Sequence, residues 1–211
     1  MVGAMRPIPL FDQPHKAMRL LLDSGAPVYL AVNPVEYHGP HLSLHNDALL
    51  TRGACADLHR ELLAADPSRD WPFLLAADLE VGVDPAPGPG TRRTAYLQAS
   101  MLVEEACRAL LAVGARSVVL MTWHGGALHG HALQRGVRLL TRAGIPAVAP
   151  FNVLLHQMMR LDPSLYADAV APVADAADRD ALLAGLDLDL HAGFFETSLA
   201  LHHAPESVDP G

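Results

Sequence analysis

Between Glu36 and Asp47 the chain places two carboxylates and three imidazoles: Glu36, His38, His41, His45 and Asp47. Along an extended segment residues two apart project to the same side, so Glu36 and His38 can reach one cavity. Gly39 and Pro40 allow the chain to turn back toward Asp47. Two further polar clusters follow much later, His124-Gly125-Gly126 and His191-Ala192-Gly193-Phe194-Phe195-Glu196-Thr197-Ser198. Carboxylates and imidazoles without thiolates suit divalent zinc, manganese or iron(II), and a site lacking cysteine is catalytic rather than purely structural. Two divalent ions bridged by Asp47 and faced by three carboxylates would carry a net charge of about +1, which favours bound hydroxide at neutral pH. Paired ions about 3.5–4 Å apart are the apparatus of metal-assisted hydrolysis. Taken singly, Asp47 also suits a helix N-cap, and His41 and His45 are ordinary loop residue types. The conjunction of clusters is what points to a metal site.

The segments before these clusters explain how they meet. Val28 to Val32 is an apolar run that reads as a buried strand, and Ser117 to Met121 is another. Phe73 to Ala77 and Ala147 to Phe151 are expected as further strands, and the alternation Leu186-Asp187-Leu188-Asp189-Leu190 as a half-buried one. Helical recurrence marks Gln13 to Leu22, Ala48 to Ala65 with Asp47 at its N-cap, Ala95 to Val113, and His131 to Ala143. Residues 81–91 are too rich in Pro and Gly for regular structure and read as a working loop. Residues 158–184 suggest a peripheral loop and helix. The repeated order of helix, glycine turn, apolar strand and polar loop implies βαβ units in a mainly parallel α/β sheet with helices on both faces. Ligands in such folds sit beyond the carboxyl ends of the strands, where the polar clusters fall.

Length and composition bound the remainder. A chain of 211 residues is read as a single domain over 1–211. A formal net charge of -8 argues against nucleic acid as a partner, because phosphate-backbone binding needs an excess of Lys and Arg. Residues 1–23 hold Arg6, Asp12, His15, Lys16 and Arg19 with no continuous apolar stretch, so neither a secretion signal nor a membrane span is expected. Cys55 and Cys107 are far apart and read as buried thiols, consistent with a cytoplasmic protein.

Glu36-Tyr37-His38-Gly39-Pro40-His41-Leu42 with Asp47, then His124-Gly125-Gly126, then His191-Ala192-Gly193 with Glu196-Thr197-Ser198, resembles the creatininase family of metal-dependent amidohydrolases. Pro89-Gly90-Thr91 is similar to the Pro-Gly-Thr before a helix in that family. The resemblance implies a three-layer α/β/α sandwich, usually a homo-oligomer, that cleaves a non-peptide or cyclic amide C–N bond. It implies one ion held by Glu36, Asp47 and His124 and a second by His38, Asp47 and Glu196, zinc first, with manganese or iron as alternatives. His191 then matches the histidine that passes a proton to the leaving nitrogen while hydroxide attacks the carbonyl of a small-molecule amide. Trp123, Phe194 and His41 are taken as substrate-side residues, and His129, His131, His202 and His203 as surface or supporting ones.

The chain departs from the family pattern in places. Thr122-Trp123 replaces the usual Asn-Gly, Ala127 an Asn, Phe194 a Glu, and Asp84-Pro85 a Glu-His. In creatininase itself a carboxylate stands where this chain has Gly126. Two other readings of the same residues are a noncatalytic metal- or ligand-binding member of the family and a structural subunit of an oligomer.

Overall fold

Val28–Asn33 is buried at every residue, which makes it the central strand of the molecule. The computed structural model describes residues 5–189, 191–209 and 211. Elements run in the order β1 (Ile8–Pro9), α1 (His15–Asp23), β2 (Val28–Asn33), α2 (Asn46–Ala65), β3 (Leu74–Glu80), α3 (Tyr96–Val113), β4 (Val118–Met121), α4 (Ala127–Arg142), β5 (Ala147–Val148), α5 (Pro150–Met158), α6 (Ala167–Val170), α7 (Ala176–Ala184) and α8 (Phe194–His203). The five strands lie in the order β1-β3-β2-β4-β5, and every neighbouring pair is parallel.

Alternation along β2 divides the core into two layers of contact. Val28, Leu30 and Val32 pack with Met18 and Leu22 of α1, Val103 and Leu110 of α3, and Leu133 and Leu140 of α4. On the other face Tyr29 packs with Cys55 of α2 and Phe151 of α5. Helix α8 lies outside α2, with Leu42, Leu50 and Ala200 buried between them. The result is the three-layer α/β/α sandwich with a parallel sheet that the sequence implies.

Three local expectations are corrected. Leu186 to Asp189 is not a strand: Leu186 is buried, Leu188 is 85% exposed, and the amides of Leu188 and Asp189 bond back to Gly185 and Leu186 in a turn. A Leu-Asp alternation satisfies the period of a strand but not its need for a partner edge; Leu190 lies outside the described residues. The strand expected over 147–151 stops at Val148, because Pro150 has no N–H for a ladder and opens α5 instead, placing Phe151 in a helix. Asp47 is not an N-cap. Helix α2 starts at Asn46, and Asp47 stands in its first turn with its carboxylate turned elsewhere. β1 was not expected, being only two residues long.

Asn33, where β2 ends, ties the layers together beneath the polar loops. Its buried Oδ1 accepts from Thr51 Oγ1 of α2 at 2.8 Å, Thr122 Oγ1 at 3.2 Å and the Trp123 amide at 3.2 Å. Removing this acceptor strands three donors, two of them buried and the third partly so. Asn33→Ala should cost about 2–4 kcal/mol in urea unfolding, against about 1 kcal/mol for Thr51→Val, which removes one donor together with its need for a partner. Equal losses in the two variants would show that Asn33 is not a hub.

Candidate metal centre

The carboxyl ends of β2, β3 and β4 open onto one crevice, and three loops enter it. The loop after β2 closes on itself through the Glu36 amide and the Leu44 carbonyl, 2.9 Å apart. The Pro-rich loop after β3 docks on it: Thr91 Oγ1 accepts from the Tyr37 amide at 3.0 Å, and the Arg92 amide donates to Val35. After β4, Thr122 Oγ1 accepts from the His124 amide at 3.1 Å. Glu196 arrives from the first turn of α8, where its Oε2 reaches back to the Ala192 amide at 2.5 Å as in a capping box.

These elements bring all five expected ligands together. Glu36, Asp47 and His124 each offer one atom within 4.8 Å of the others, all buried; His38, His191 and Glu196 form an adjoining group on the same criterion. Asp47 spans the two groups, with Oδ1 3.3 Å from His38 Nε2 and Oδ2 3.8 Å from His124 Nδ1. His38 Nε2 lies 3.9 Å from Glu196 Oε2, and His124 Nδ1 lies 2.9 Å from Glu36 Oε2. His191 stands beside His38, ring centroids 4.3 Å apart, with Nδ1 3.9 Å from Glu36 Oε1.

Main-chain carbonyls fix the orientation of each imidazole. His124 Nε2 lies 2.9 Å from the Val83 carbonyl, His38 Nδ1 3.1 Å from the Glu36 carbonyl, and His191 Nε2 2.8 Å from the Tyr37 carbonyl. A carbonyl only accepts, so those nitrogens carry protons and the opposite nitrogens face inward, where each would give a lone pair to a metal once deprotonated. Gly126 makes the first of these bonds possible, because a Cβ there would lie 2.6 Å from His124 Nε2 and 2.7 Å from the Val83 oxygen. His38 Nε2, Glu36 Oε2 and Asp47 Oδ2 are buried without a hydrogen-bond partner; the 2.9 Å approach of His124 to Glu36 lacks hydrogen-bond alignment. Buried unpaired polar atoms cost about 1–3 kcal/mol each, more when charged, and coordinated cations would satisfy all three. The donor set therefore fits divalent metal.

Of the other expected residues, Trp123 lines a cavity of about 360 Å³ with Glu36, His124, His191, Phe151 and Met158. Phe194 lines a separate cavity of about 650 Å³ with Val173, Leu182 and Leu188. His41 bonds through Nε2 to Thr197 Oγ1 of α8 at 3.0 Å rather than lining the 360 Å³ cavity. His45 pairs at the surface with Glu80. His129, expected as a surface or supporting residue, is wholly buried: it donates from Nε2 to the Val32 carbonyl at 3.1 Å and meets the His124 ring edge to face. Burial and the nearby His124 charge push its pKa down to about 4, so it is a neutral prop. Asn33 and Thr122 carry the loops, Thr122 through the backbone amide of His124, and a polar residue ending an apolar strand was the available signal for Asn33.

The cluster's protonation follows from this packing. Burial opposes a charge on His38, but the Asp47 carboxylate beside it, with Glu196 beyond, raises its pKa to about 9. Burial likewise works against ionised Glu36, yet His124 and the Ala86 amide bring it down to about 2. Burial raises Asp47, where the Glu36 charge adds, and raises Glu196, where the Asp47 charge adds. A raised histidine stabilises the fold fully below its unfolded value of about 6.5 and loses that contribution as pH rises through about 9. Chelator-treated protein should therefore lose stability toward urea between pH 6.5 and 9, whereas metal-loaded protein, whose His38 is already deprotonated, should not. Parallel curves for the two forms would contradict this assignment.

Comparison with known proteins agrees with the site. The family model for creatinine amidohydrolase matches residues 15–211. Among solved structures, a creatininase with manganese is 22% identical, covering 97% of this chain and 76% of its own, with a TM-score of 0.66. A mutant creatininase of Zn-Zn type is also 22% identical, covering 97% and 75%, with a TM-score of 0.66. A putative creatinine amidohydrolase from Bacteroides fragilis is 20% identical over 86% of this chain and 62% of its own, at a TM-score of 0.54. No curated protein sequence matches. At these identities the structures establish the fold, and the family model establishes the rest: this chain belongs to the creatininase family of metal-dependent amidohydrolases.

Proposed function

We propose that this chain hydrolyses a small cyclic or non-peptide amide with two divalent ions, zinc in preference to manganese or iron, bridged by Asp47. The observation that carries the reading is Asp47 itself, which presents one oxygen toward each ligand histidine. Glu36 and His124 would complete one position, and His38 and Glu196 the other. Bound there, the ions would supply a Lewis acid for the amide carbonyl and a water nucleophile active at neutral pH.

The side chains around them divide the remaining work. Water adds to the carbonyl carbon, the C–N bond breaks, and the departing nitrogen needs a proton. His191 would take the proton that the attacking water gives up and pass it to that nitrogen from Nδ1, a role supported by the hold of the Tyr37 carbonyl on Nε2–H and by Nδ1 facing the cluster. Trp123, Phe151, Met158 and Met159 offer flat and adaptable apolar walls, while Asp84 and Asp189 offer acceptors on the wall of the same cavity. A volume of about 360 Å³ suits a small planar molecule with N–H groups, such as a lactam or cyclic urea-like amide. The free thiols of Cys55 and Cys107 accord with a cytoplasmic protein, and exposed Leu97, Met101 and Leu102 on α3 with a homo-oligomer. The span matched by the family model accords with one domain.

Metal analysis and turnover of creatinine and a panel of small cyclic and formyl amides test the assignment together. Asp47→Ala should lose both ions and Glu196→Ala mainly one. His191→Ala should keep both ions yet lower kcat by about 10²–10⁴-fold. Loss of an ion from the His191 variant would make that residue a ligand instead, and absence of turnover by the doubly loaded protein across the panel would reject the enzyme reading.

A further inference from the structure

A second set of metal-binding side chains lies where the C-terminal end of α8, the helix that carries Glu196, meets the middle of α2, the helix that carries Asp47. Asp57 of α2 and His202 and His203, the last residues of α8, each offer one donor atom within 4.8 Å of the other two. His203 Nε2 is 3.6 Å from Asp57 Oδ2, and the two imidazole rings meet edge to face with centroids 4.7 Å apart. Among the described residues neither imidazole has a side-chain hydrogen bond. Asp57 uses Oδ1 for Arg60 Nη1 at 2.8 Å and leaves Oδ2 toward the histidines, the usual division of labour in a ligating carboxylate.

The surroundings are shaped for this cluster. A Cβ on Gly53 would lie 2.3 Å from His203 Cγ, so only glycine lets the ring lie against α2. A cavity of about 550 Å³, lined by Arg52, Gly53, Asp57, His202 and His203, gives an entry path. Donors around a tetrahedral zinc are about 3.3–3.5 Å apart, given Zn–N and Zn–O bonds of about 2.0–2.2 Å. Rotation of the exposed His202 ring closes the remaining distance.

We propose that Asp57, His202 and His203 form a surface site for one borderline divalent transition-metal ion, zinc fitting best, which clasps α8 to α2. Two imidazoles and one carboxylate, with water completing the shell, select zinc over magnesium or calcium. The clasp has a mechanical consequence. Glu196 precedes His203 by seven residues, two turns on the same helix face, about 10 Å along the axis. Helix α8 buries only Ala200 fully and follows an irregular segment, so an ion at its far end restrains the element that carries Glu196.

The test uses protein whose buried centre is already metal-loaded. Equilibrium dialysis against zinc should give one more ion per chain in wild type than in the double variant Asp57→Asn, His202→Ala, and His202→Ala alone, at an exposed position, should already weaken that ion at least tenfold. Zinc should raise the wild-type Tm by several degrees and leave the double variant unmoved, while magnesium moves neither. Equal stoichiometry in wild type and variant, or an equal shift with magnesium, overturns the proposal. Because the readout is a difference between the two proteins, it stands or falls independently of how many ions the buried centre holds.

Discussion

Three carboxylates crowded out of water govern this structure. Glu36 and Asp47 are each 1% exposed, and Glu196 lies beside them at the mouth of the same crevice. Ionised carboxylates at such distances repel one another in a medium that screens poorly, and their own desolvation adds to the penalty. Positive charge has to be supplied locally. In the chain alone it comes from protons: His38 is driven up, and Asp47 and Glu196 resist ionising. Divalent ions meet the same demand with fewer compromises, since each can satisfy several oxygens and lone pairs at once. The parallel sheet is what makes the crowding possible, because it ends several strands at one edge and leaves their loops to converge there.

Orientation of the ligands depends on backbone more than on neighbouring side chains. All three imidazoles of the centre face a main-chain carbonyl, on Val83, Glu36 and Tyr37, and each carbonyl belongs to a loop that also supplies or borders a ligand. The path of each loop therefore sets which nitrogen points inward. Asn33 serves the same end one layer below, holding α2 and the segment after β4 to the end of β2. His129 fills the space between with a neutral ring, avoiding a further buried charge beside His124.

Much of this was legible in the sequence, for reasons that also explain what was not. β2 and β4 announce themselves because strands covered on both faces must be continuously apolar. Glu36, His38, Asp47, His124 and Glu196 stand out because such residues are poor core material unless they have a common task. Leu186 to Asp189 misled because alternation is a local signal, whereas a strand needs an edge to pair with, and β5 offers only two residues. Phe151 misled through its hydrophobicity, which a helix buries as readily as a strand. Asn33 and His129 were obscured because their partners lie on other elements, and no local pattern reports a hydrogen bond spanning some ninety residues.

The departures from the family pattern become easier to understand in the same terms. Where creatininase has a carboxylate, this chain has Gly126, and any Cβ there would press on both His124 Nε2 and the Val83 oxygen. In this chain the bare position at Gly126 and the course of the loop after β3 therefore depend on each other. The Val83 carbonyl orients His124, and the loop that brings it also brings Asp84 and Ala86 to the cavity wall. Asp84 adopts a positive φ of 55° to follow that course, a conformation tolerated by Asp and disfavoured by most other residues. At position 126 the chain has no acid, and carboxylates stand instead on the wall of the 360 Å³ cavity. The acidic groups of this chain thus lie both in the buried cluster and on the wall of the adjoining cavity, where Asp84 and Asp189 face the flat apolar surface of Trp123.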